Sequence, residues 1–128
     1  ETETKRLTNG KGVDVVYDGV GKTTFEKGLN VLRARRYMVL FGGSSGPVSP
    51  FDLAQLSTKG SLYVTRPTLG HYIATTEELR ARSQAVFAMI TAGKLKLRIE
   101  RTYKLADATQ AHRDLESRKT TGKLLLLM

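Results

Sequence analysis

The chain of 128 residues contains no cysteine, so neither a disulfide bond nor a zinc site with thiolate ligands can form within it. Its apolar runs, such as residues 124–128, are all far shorter than the roughly 20 residues that span a bilayer. The first residues lack the apolar core of a signal peptide and resemble the tail of a helix that stops at Asn9 and Gly10. We therefore expect no transmembrane segment, no membrane partner and a cytoplasmic location.

Motifs for hydrolytic or metal-dependent catalysis are also scarce. His71 and His112 have no partners at the spacing of a metal pair or a general base, so both are interpreted as structural. No Gly-x-Ser-x-Gly nucleophile elbow is present. Asp14 and Asp18 lie four apart on a predicted strand and face the same side, but nothing nearby would raise the pKa of one against the other. The sequence therefore argues against a carboxylate-pair hydrolase.

Two glycine-ended apolar runs, residues 13–21 and 38–46, flank an amphipathic segment long enough to be one helix. This pattern is typical of a strand-helix-strand unit in a parallel sheet. Neither run continues as Gly-x-Gly-x-x-Gly, the loop that cradles phosphates in dinucleotide-binding domains. We predict an α/β chain that forms the second half of a Rossmann-type parallel sheet with flanking helices, separated from the residues that should precede it.

The helix after the first run is predicted to begin with a capping box between Thr23 and Glu26, and Phe25, Leu29 and Leu32 share one face. Gly28 indicates close packing of this helix on the sheet. Further elements are a strand at 37–41, a helix opened by Ser49 and Pro50 and running through Leu56, a strand at 61–65, a helix from the cap Thr75–Glu78 to Gly93, an alternating strand at 95–100, a helix from Asp107 to Ser117 and an apolar strand at the end. No linker or repeat interrupts residues 1–128, which we treat as one folding segment.

The formal charge of +9 would attract polyanions without specificity. The basic residues are scattered among acids, and the densest cluster, residues 33–36, lies where a helix should end and where its dipole favours cations. No nucleic-acid reading motif is present, so we expect an anionic small ligand and no nucleic acid. A small basic α/β module that binds an anionic partner stays open as the alternative.

Ligands of parallel sheets lie at the carboxyl ends of the strands, and three such ends are informative here. Asp18 and the residues up to Gly21 expose backbone groups that could lie under a ribose or a nicotinamide. Phe41 offers an aromatic face. Two glycines with an unrestricted backbone follow it, and then two serines whose hydroxyls could hydrogen-bond to an amide. Arg66 follows the third apolar run at a place where core packing does not require an arginine. Each feature also has a plain structural interpretation, as a turn, a core side chain or a surface charge.

Five segments of the chain together resemble the C-terminal portion of NADPH:quinone oxidoreductases, the zeta-crystallin-like, zinc-free branch of the medium-chain dehydrogenase/reductase superfamily. The resemblance covers essentially the whole chain in order. It implies a full-length protein with an N-terminal GroES-like catalytic domain and a Rossmann domain, which reduces quinones by hydride transfer from NADPH. The C-terminal segment of this chain would return to the GroES-like domain. The five segments are residues 12–21, 41–46, 59–67, 111–118 and 122–126.

The resemblance also implies which residues contact the cofactor, and it assigns no catalytic residue or metal ligand to this chain. Val20 would lie beside NADPH, and four residues after the second strand would surround its nicotinamide-ribose half. Three residues after the third strand and one C-terminal arginine, whose planar fork suits a phosphate, complete the set. In chain order these residues are Val20, Phe41, Gly42, Gly43, Ser44, Arg66, Pro67, Thr68 and Arg118.

The glycine-rich phosphate loop, the residues that meet the 2′-phosphate and the N-terminal domain all lie outside these 128 residues. We therefore expect this chain alone to have no quinone reductase activity and weak or no NADPH binding. The resemblance also predicts a homodimer through the strand edge from Ser61 to Thr65, because the corresponding strand of the family commonly lies at a two-fold interface and extends the sheet between subunits. A reductase of enones or alcohols from the same superfamily stays open, with zinc-dependent alcohol oxidation the least supported.

Overall fold

The computed structural model describes all 128 residues, and the chain forms two compact units, Glu1–Tyr72 and Ile73–Met128. We call them the first unit and the second unit. The lack of a linker rich in glycine, proline or serine predicts one folding segment. The boundary instead follows directly after a short 3₁₀ turn, Leu69–Tyr72, which carries no such composition.

The first unit is a three-stranded parallel sheet with helices in its connections. Its strands stand in the order β1-β2-β3, and Val16 pairs with Met38, which pairs with Val64. This arrangement confirms the predicted α/β class with a parallel sheet and flanking helices. The elements are α1 (Thr2–Leu7), β1 (Val13–Asp18), α2 (Phe25–Val31), β2 (Leu32–Leu40), α3 (Ala54–Thr58), β3 (Tyr63–Thr65) and the 3₁₀ turn.

The hydrophobic core of the first unit lies between α2 and the sheet. Leu29 and Met38 are fully buried, and Phe25 packs edge-on against Phe51 at 5.2 Å between ring centroids. Gly28 permits this packing, because a Cβ at that position would lie 3.2 Å from Val16 and closer still to Met38. The remaining members of the buried cluster are Leu32, Leu40 and Leu62. This core fixes α2 on the sheet and so fixes the strand ends beside it.

The second strand begins earlier than predicted. Leu32 was expected on the face of α2, but its backbone is extended with ψ 140° and it pairs with Val13. The pairing register then shifts between Val13 and Val15, and Arg35 adopts a positive φ of 61° within the extra residues of β2. Pairing with a neighbouring strand therefore decides the end of α2 here.

Two predicted helix starts are wrong in detail. Thr24, not Thr23, is the N-cap residue of α2, and no side-chain cap hydrogen bond forms there. The third helix starts at Ala54 rather than at Ser49 and Pro50, because the Asp52 carboxylate accepts a hydrogen bond of 2.9 Å from the Ala54 N–H. A side chain that competes for the backbone donors moved the helix start four residues along the chain.

The second unit contains a long helix and a two-stranded sheet. Its elements are α4 (Thr76–Thr91), β4 (Ile99–Lys104), a 3₁₀ turn (Leu105–Asp107), α5 (Ala108–Glu116) and β5 (Lys123–Leu127), and the two strands are parallel. The predicted capping box between Thr75 and Glu78 is present, and Gly93 with φ 67° follows the end of α4 as predicted. No helix of the chain has the length and apolar content that crossing a bilayer requires.

The strand predicted at residues 95–100 is misplaced. Its alternating apolar residues Leu95 and Leu97 precede β4, which starts at Ile99 because Ile99–Lys104 pairs with β5. The helix predicted from Asp107 is present as α5, and Asp107 is its N-cap residue, although the Asp107 side chain makes no cap hydrogen bond. Long-range pairing overrides the local pattern in the position of β4.

Candidate functional site

The turns that follow β1 and β2 are joined by hydrogen bonds. The Phe41 N–H donates to the carbonyl oxygen of Asp18 at 2.9 Å. The Ser45 N–H and hydroxyl both donate to the carbonyl oxygen of Val20, at 2.9 Å and 2.7 Å. Because β1 and β2 are parallel neighbours, their carboxyl ends lie side by side. The structure thus brings Val20 together with the segment that contains the predicted residues 41–44.

Two glycines permit this close approach of the turns. A Cβ at Gly42 would lie 2.6 Å from the carbonyl oxygen of Gly19, which is too close for any side chain. A Cβ at Gly19 would lie 3.0 Å from the ring of Phe41. The Phe41 ring therefore lies against the Gly19 backbone, while 59% of its surface remains exposed. A side chain at Gly42 would separate the two turns.

The buried Asp18 carboxylate binds the backbone of the turn after β1. Asp18 is 5% exposed, and its Oδ1 accepts from the N–H groups of Val20 at 2.8 Å and Gly21 at 3.0 Å. The Thr24 hydroxyl contacts both carboxylate oxygens, at 2.8 Å and 2.9 Å. Burial alone would raise the pKa of Asp18, but the donors of Gly21, Val20 and Thr24 together hold that pKa below its ordinary value. Asp18 thus stays a charged acceptor.

The third strand end contributes an apolar wall. Arg66, Pro67 and Thr68 follow β3, and a cavity of about 340 Å³ is lined by Phe41, Pro67, Leu69 and Tyr72. The predicted residues Phe41 and Pro67, from two different strand ends, therefore share one cavity. Val20 is 37% exposed and lines a different, open cavity of about 300 Å³ on the α2 side of β1.

The polar members of the predicted set are exposed. The side chains of Ser44 and Arg66 make no hydrogen bond or ion pair with other residues of the chain, and the Ser44 N–H donates to Gly19 at 3.3 Å. Arg118 belongs to the second unit, where it follows α5 with a positive φ of 58°. Its guanidinium also has no ion-pair partner. An exposed hydroxyl and two exposed guanidinium groups are suited to carboxamide and phosphate oxygens.

Three contributors to this region are not predicted from the sequence: Asp18 as an acceptor, and Leu69 and Tyr72 as cavity lining. The spacing of Asp18, two glycines and Thr24 could have indicated a carboxylate that binds its own turn, because aspartate at a strand end commonly accepts from the next N–H groups. No local signal identifies Leu69 or Tyr72. They reach the cavity through the 3₁₀ turn, whose position depends on β3.

The remaining titratable groups do not form a second centre. No group of three or more His, Cys, Asp or Glu side chains in the chain could hold a metal ion. Asp14 pairs with Arg36 and Arg33, and these bonds hold its pKa below the ordinary value. Since the pKa of Asp18 is also lowered, neither aspartate of β1 has the raised pKa of a general acid.

Comparisons with known proteins show which family the chain belongs to. Residues 1–126 match the family described as zinc-binding dehydrogenase. The chain is 48% identical to a quinone oxidoreductase of Pseudomonas aeruginosa over 121 residues, which are 94% of this chain and 37% of that protein. It is 39% identical over 124 residues to a 2-haloacrylate reductase of a Burkholderia species, covering 96% of this chain and 37% of the relative.

Among solved structures, the Escherichia coli quinone oxidoreductase complexed with NADPH superimposes with a TM-score of 0.91 at 47% identity, over 99% of this chain and 40% of that chain. The chain therefore spans less than two thirds of the length of these relatives. The resemblance predicted from the five segments is confirmed. The chain belongs to the zinc-binding dehydrogenase family.

Proposed function

We propose that this chain is the cofactor-binding part of an NADPH-dependent quinone oxidoreductase. The observation that carries the proposal is the convergence of strand ends in the first unit: the turns after β1 and β2 are joined by hydrogen bonds, and Phe41 and Pro67 share one cavity. Similarity to quinone oxidoreductases, one of them an NADPH complex, supports the choice of cofactor and substrate. NADPH supplies the hydride, and a quinone accepts it.

The residues present fit such a cofactor. The exposed Phe41 ring offers an apolar face to a planar ring, while the Gly42 and Gly43 backbone carries no side chain that would keep a ligand away. The Ser44 hydroxyl and the Arg66 guanidinium are donors without partners in the chain. In this proposal Val20, Pro67 and Thr68 add contacts along the same edge, and Arg118 binds a phosphate or another acceptor group.

The ion pairs of the chain leave Arg66 and Arg118, like Arg35, Arg80 and Arg113, available for an anionic ligand. Several other arginines are neutralised locally, each by a carboxylate of this chain. Arg66 and Arg118 are not neutralised in this way. The locally paired arginines are Arg6, Arg33, Arg36, Arg98 and Arg101. The alternative of a basic binding module would need its arginines free over a whole face.

Replacing both Arg66 and Arg118 with alanine in a full-length protein tests these roles. Since a hydrogen bond between charged groups contributes about 1.5–3 kcal/mol, we expect the NADPH dissociation constant to rise at least tenfold. Isothermal titration calorimetry measures it, with Arg98→Ala as the matched control because Arg98 already pairs with Glu100. Unchanged NADPH affinity in the double variant would refute the assignment.

We propose that the 128-residue chain alone does not reduce quinones, because the residues that would complete the site are among those its relatives have in addition. The chain covers 37–38% of the two quinone oxidoreductases compared in sequence from Pseudomonas and Escherichia. The loss of NADPH absorbance with a quinone acceptor measures turnover. We expect turnover in the full-length protein and none in the chain. Turnover by the purified chain would overturn this part of the proposal.

A second candidate is a reductase of activated alkenes, favoured by the similarity to a 2-haloacrylate reductase. The same cofactor site would serve both reactions, so the cofactor assay cannot separate them. Comparing kcat/KM of the full-length protein for a quinone and for 2-chloroacrylate distinguishes them, and we expect the quinone to be preferred. A preference for 2-chloroacrylate would favour the second candidate.

We further propose a homodimer through the edge from Ser61 to Thr65. The β3 strand pairs with β2 on one side only, and Tyr63 is 54% exposed while its ring stacks on Tyr37 at 4.9 Å between centroids. Light scattering during gel filtration tests this, with Val64→Pro removing an edge donor. A monodisperse monomer of the unmodified protein would contradict it.

Three narrower expectations belong to the same proposal: a cytoplasmic location, no nucleic-acid or membrane partner, and independence from zinc. Metal analysis of the full-length protein tests the last, and equimolar zinc required for turnover would contradict it. Cell fractionation and salt-dependent DNA binding test the first two.

A further inference from the structure

Asp18 is the one charged residue of the chain that is buried, and the proposed cofactor contacts give it no part. A buried charge is costly unless hydrogen bonds satisfy it. Here three donors do so: the N–H groups of Val20 and Gly21 and the hydroxyl of Thr24. All three follow Asp18 within six residues, so the carboxylate folds the turn after β1 around itself.

The backbone of Asp18 also holds the second turn. Its carbonyl oxygen accepts from the N–H groups of Phe41 at 2.9 Å and Gly42 at 3.3 Å. Val20 is held from both sides, because its N–H donates to the Asp18 carboxylate and its carbonyl accepts from Ser45. Movement of the carboxylate would therefore move Val20, and with it the bonds that align Ser45 and the residues before it.

We propose that Asp18 is a positioning residue: its carboxylate fixes the turn after β1, and through Val20 and Ser45 it fixes residues 41–44 in the arrangement that receives the nicotinamide half of the cofactor. This inference rests on the proposed function and deepens it. Asp18 itself touches neither cofactor nor substrate and acts only through these residues.

Two other roles make different predictions. A carboxylate that acts through its negative charge would lose its effect when replaced by asparagine. A carboxylate that only stabilises the fold would change the unfolding temperature but not the cofactor affinity of molecules that are folded. A positioning residue needs an acceptor oxygen in the same place, and asparagine retains one on a side chain of nearly the same shape.

The experiment compares Asp18→Ala with Asp18→Asn in the full-length protein. Asp14→Asn is the matched control, because it removes the other aspartate of β1, which is exposed and pairs with Arg33 and Arg36. We measure hydrogen exchange at the Val20 and Gly21 amides without cofactor, and the NADPH dissociation constant by calorimetry under conditions where each variant is folded.

For Asp18→Ala we expect exchange at both amides to quicken about tenfold and the NADPH dissociation constant to rise about tenfold, because two N–H groups, that of Gly21 buried, lose their acceptor. Asp18→Asn should stay within about threefold of the unmodified protein in both measurements, since it keeps an acceptor. Asp14→Asn should change neither.

Unchanged NADPH affinity in folded Asp18→Ala would overturn the inference and leave the proposed function standing. An asparagine variant as weak as the alanine variant would also overturn it, in favour of a charge effect. If the unmodified protein binds no NADPH, the proposed function itself fails and this inference fails with it. Should Asp18→Ala not fold, Thr24→Val decides: removal of its hydroxyl should weaken NADPH binding about threefold, and no change would overturn the inference.

Discussion

Each of the two units of this chain is stabilised internally by a different kind of interaction. In the first unit α2 has four buried residues, and a cluster of six buried apolar side chains lies against a three-stranded sheet. In the second unit the 16-residue helix α4 has no buried residue, and Ala111 of α5 is the buried apolar residue. Apolar side chains such as Phe87, 64% exposed, point outward there. The first unit has a core, whereas the second does not.

Local polar interactions take the place of a core in the second unit. A capping box closes the start of α4. Asp114 joins α5 to β4, because its carboxylate accepts from the Tyr103 hydroxyl at 2.6 Å, Arg101 at 2.9 Å and Gln110 at 2.8 Å. The proposed site therefore depends on packing in the first unit, whereas the position of Arg118 depends on the hydrogen bonds that hold α5.

The largest effect should come from truncating the core of the first unit. Leu29→Ala removes a side chain that is 1% exposed, and we expect the free energy of unfolding to fall by about 2–5 kcal/mol. Leu79→Ala in α4 is the matched control, because Leu79 is 47% exposed and its loss should cost no more than about 0.5 kcal/mol. Urea denaturation followed by circular dichroism measures both. Equal losses would contradict the contrast between the units.

A smaller effect should come from the helix cap of the second unit. The Thr75 hydroxyl accepts from the Glu78 N–H at 3.2 Å, so Thr75→Ala should cost about 1 kcal/mol. Thr23→Ala tests the capping box that the sequence predicts before α2 and the structure lacks. Its side chain caps nothing, so its loss should stay within about 0.5 kcal/mol. If the two variants lose equal stability in urea, the assignment of caps is wrong.

These two threonines illustrate which features could be predicted from the sequence. The box of α4 needs only residues within one turn of the chain, and the sequence predicts it correctly. The same spacing at Thr23 fails because Asp18, five residues earlier, binds the neighbouring Thr24 hydroxyl. The parallel sheet was predictable because each buried strand has its own apolar run. The first residues of β2 and β4 were not, because a partner strand selects them.

The candidate site also has features that the sequence predicts and features that it does not. The residues after β1 and β2 lie side by side because the two strands are parallel. The sequence predicts this juxtaposition, but not the contacts of the side chains. Sequence alone could not reveal that Phe41 shares a cavity with Tyr72, since the 3₁₀ turn that carries Tyr72 has no periodic pattern. Local signals thus locate strand ends, and packing decides which side chains meet there.

The smallest effect should come from the polar network of the second unit, and it should depend on pH. Hydrogen bonds from Tyr103 and Gln110, with the nearby Arg101, hold the pKa of Asp114 below its ordinary value of 3.8. Because the unfolded chain then binds a proton more readily than the folded chain, the stabilisation is complete above that ordinary value and is lost as the pH falls through the lower folded value.

Asp114→Asn keeps a neutral acceptor for Tyr103 but removes the charge. We expect it to lower Tm by less than about 4 °C near neutral pH, because ion pairs exposed to solvent contribute little. As the pH falls below the lowered pKa of Asp114, the unmodified protein should lose the same interaction, so the two melting curves should approach each other. Asp18→Asn makes the same substitution in the first unit, so its melting curves can be compared with those of Asp114→Asn. A difference between wild type and Asp114→Asn that persists undiminished in acid would mean that the shape of the side chain, and not its charge, joins α5 to β4.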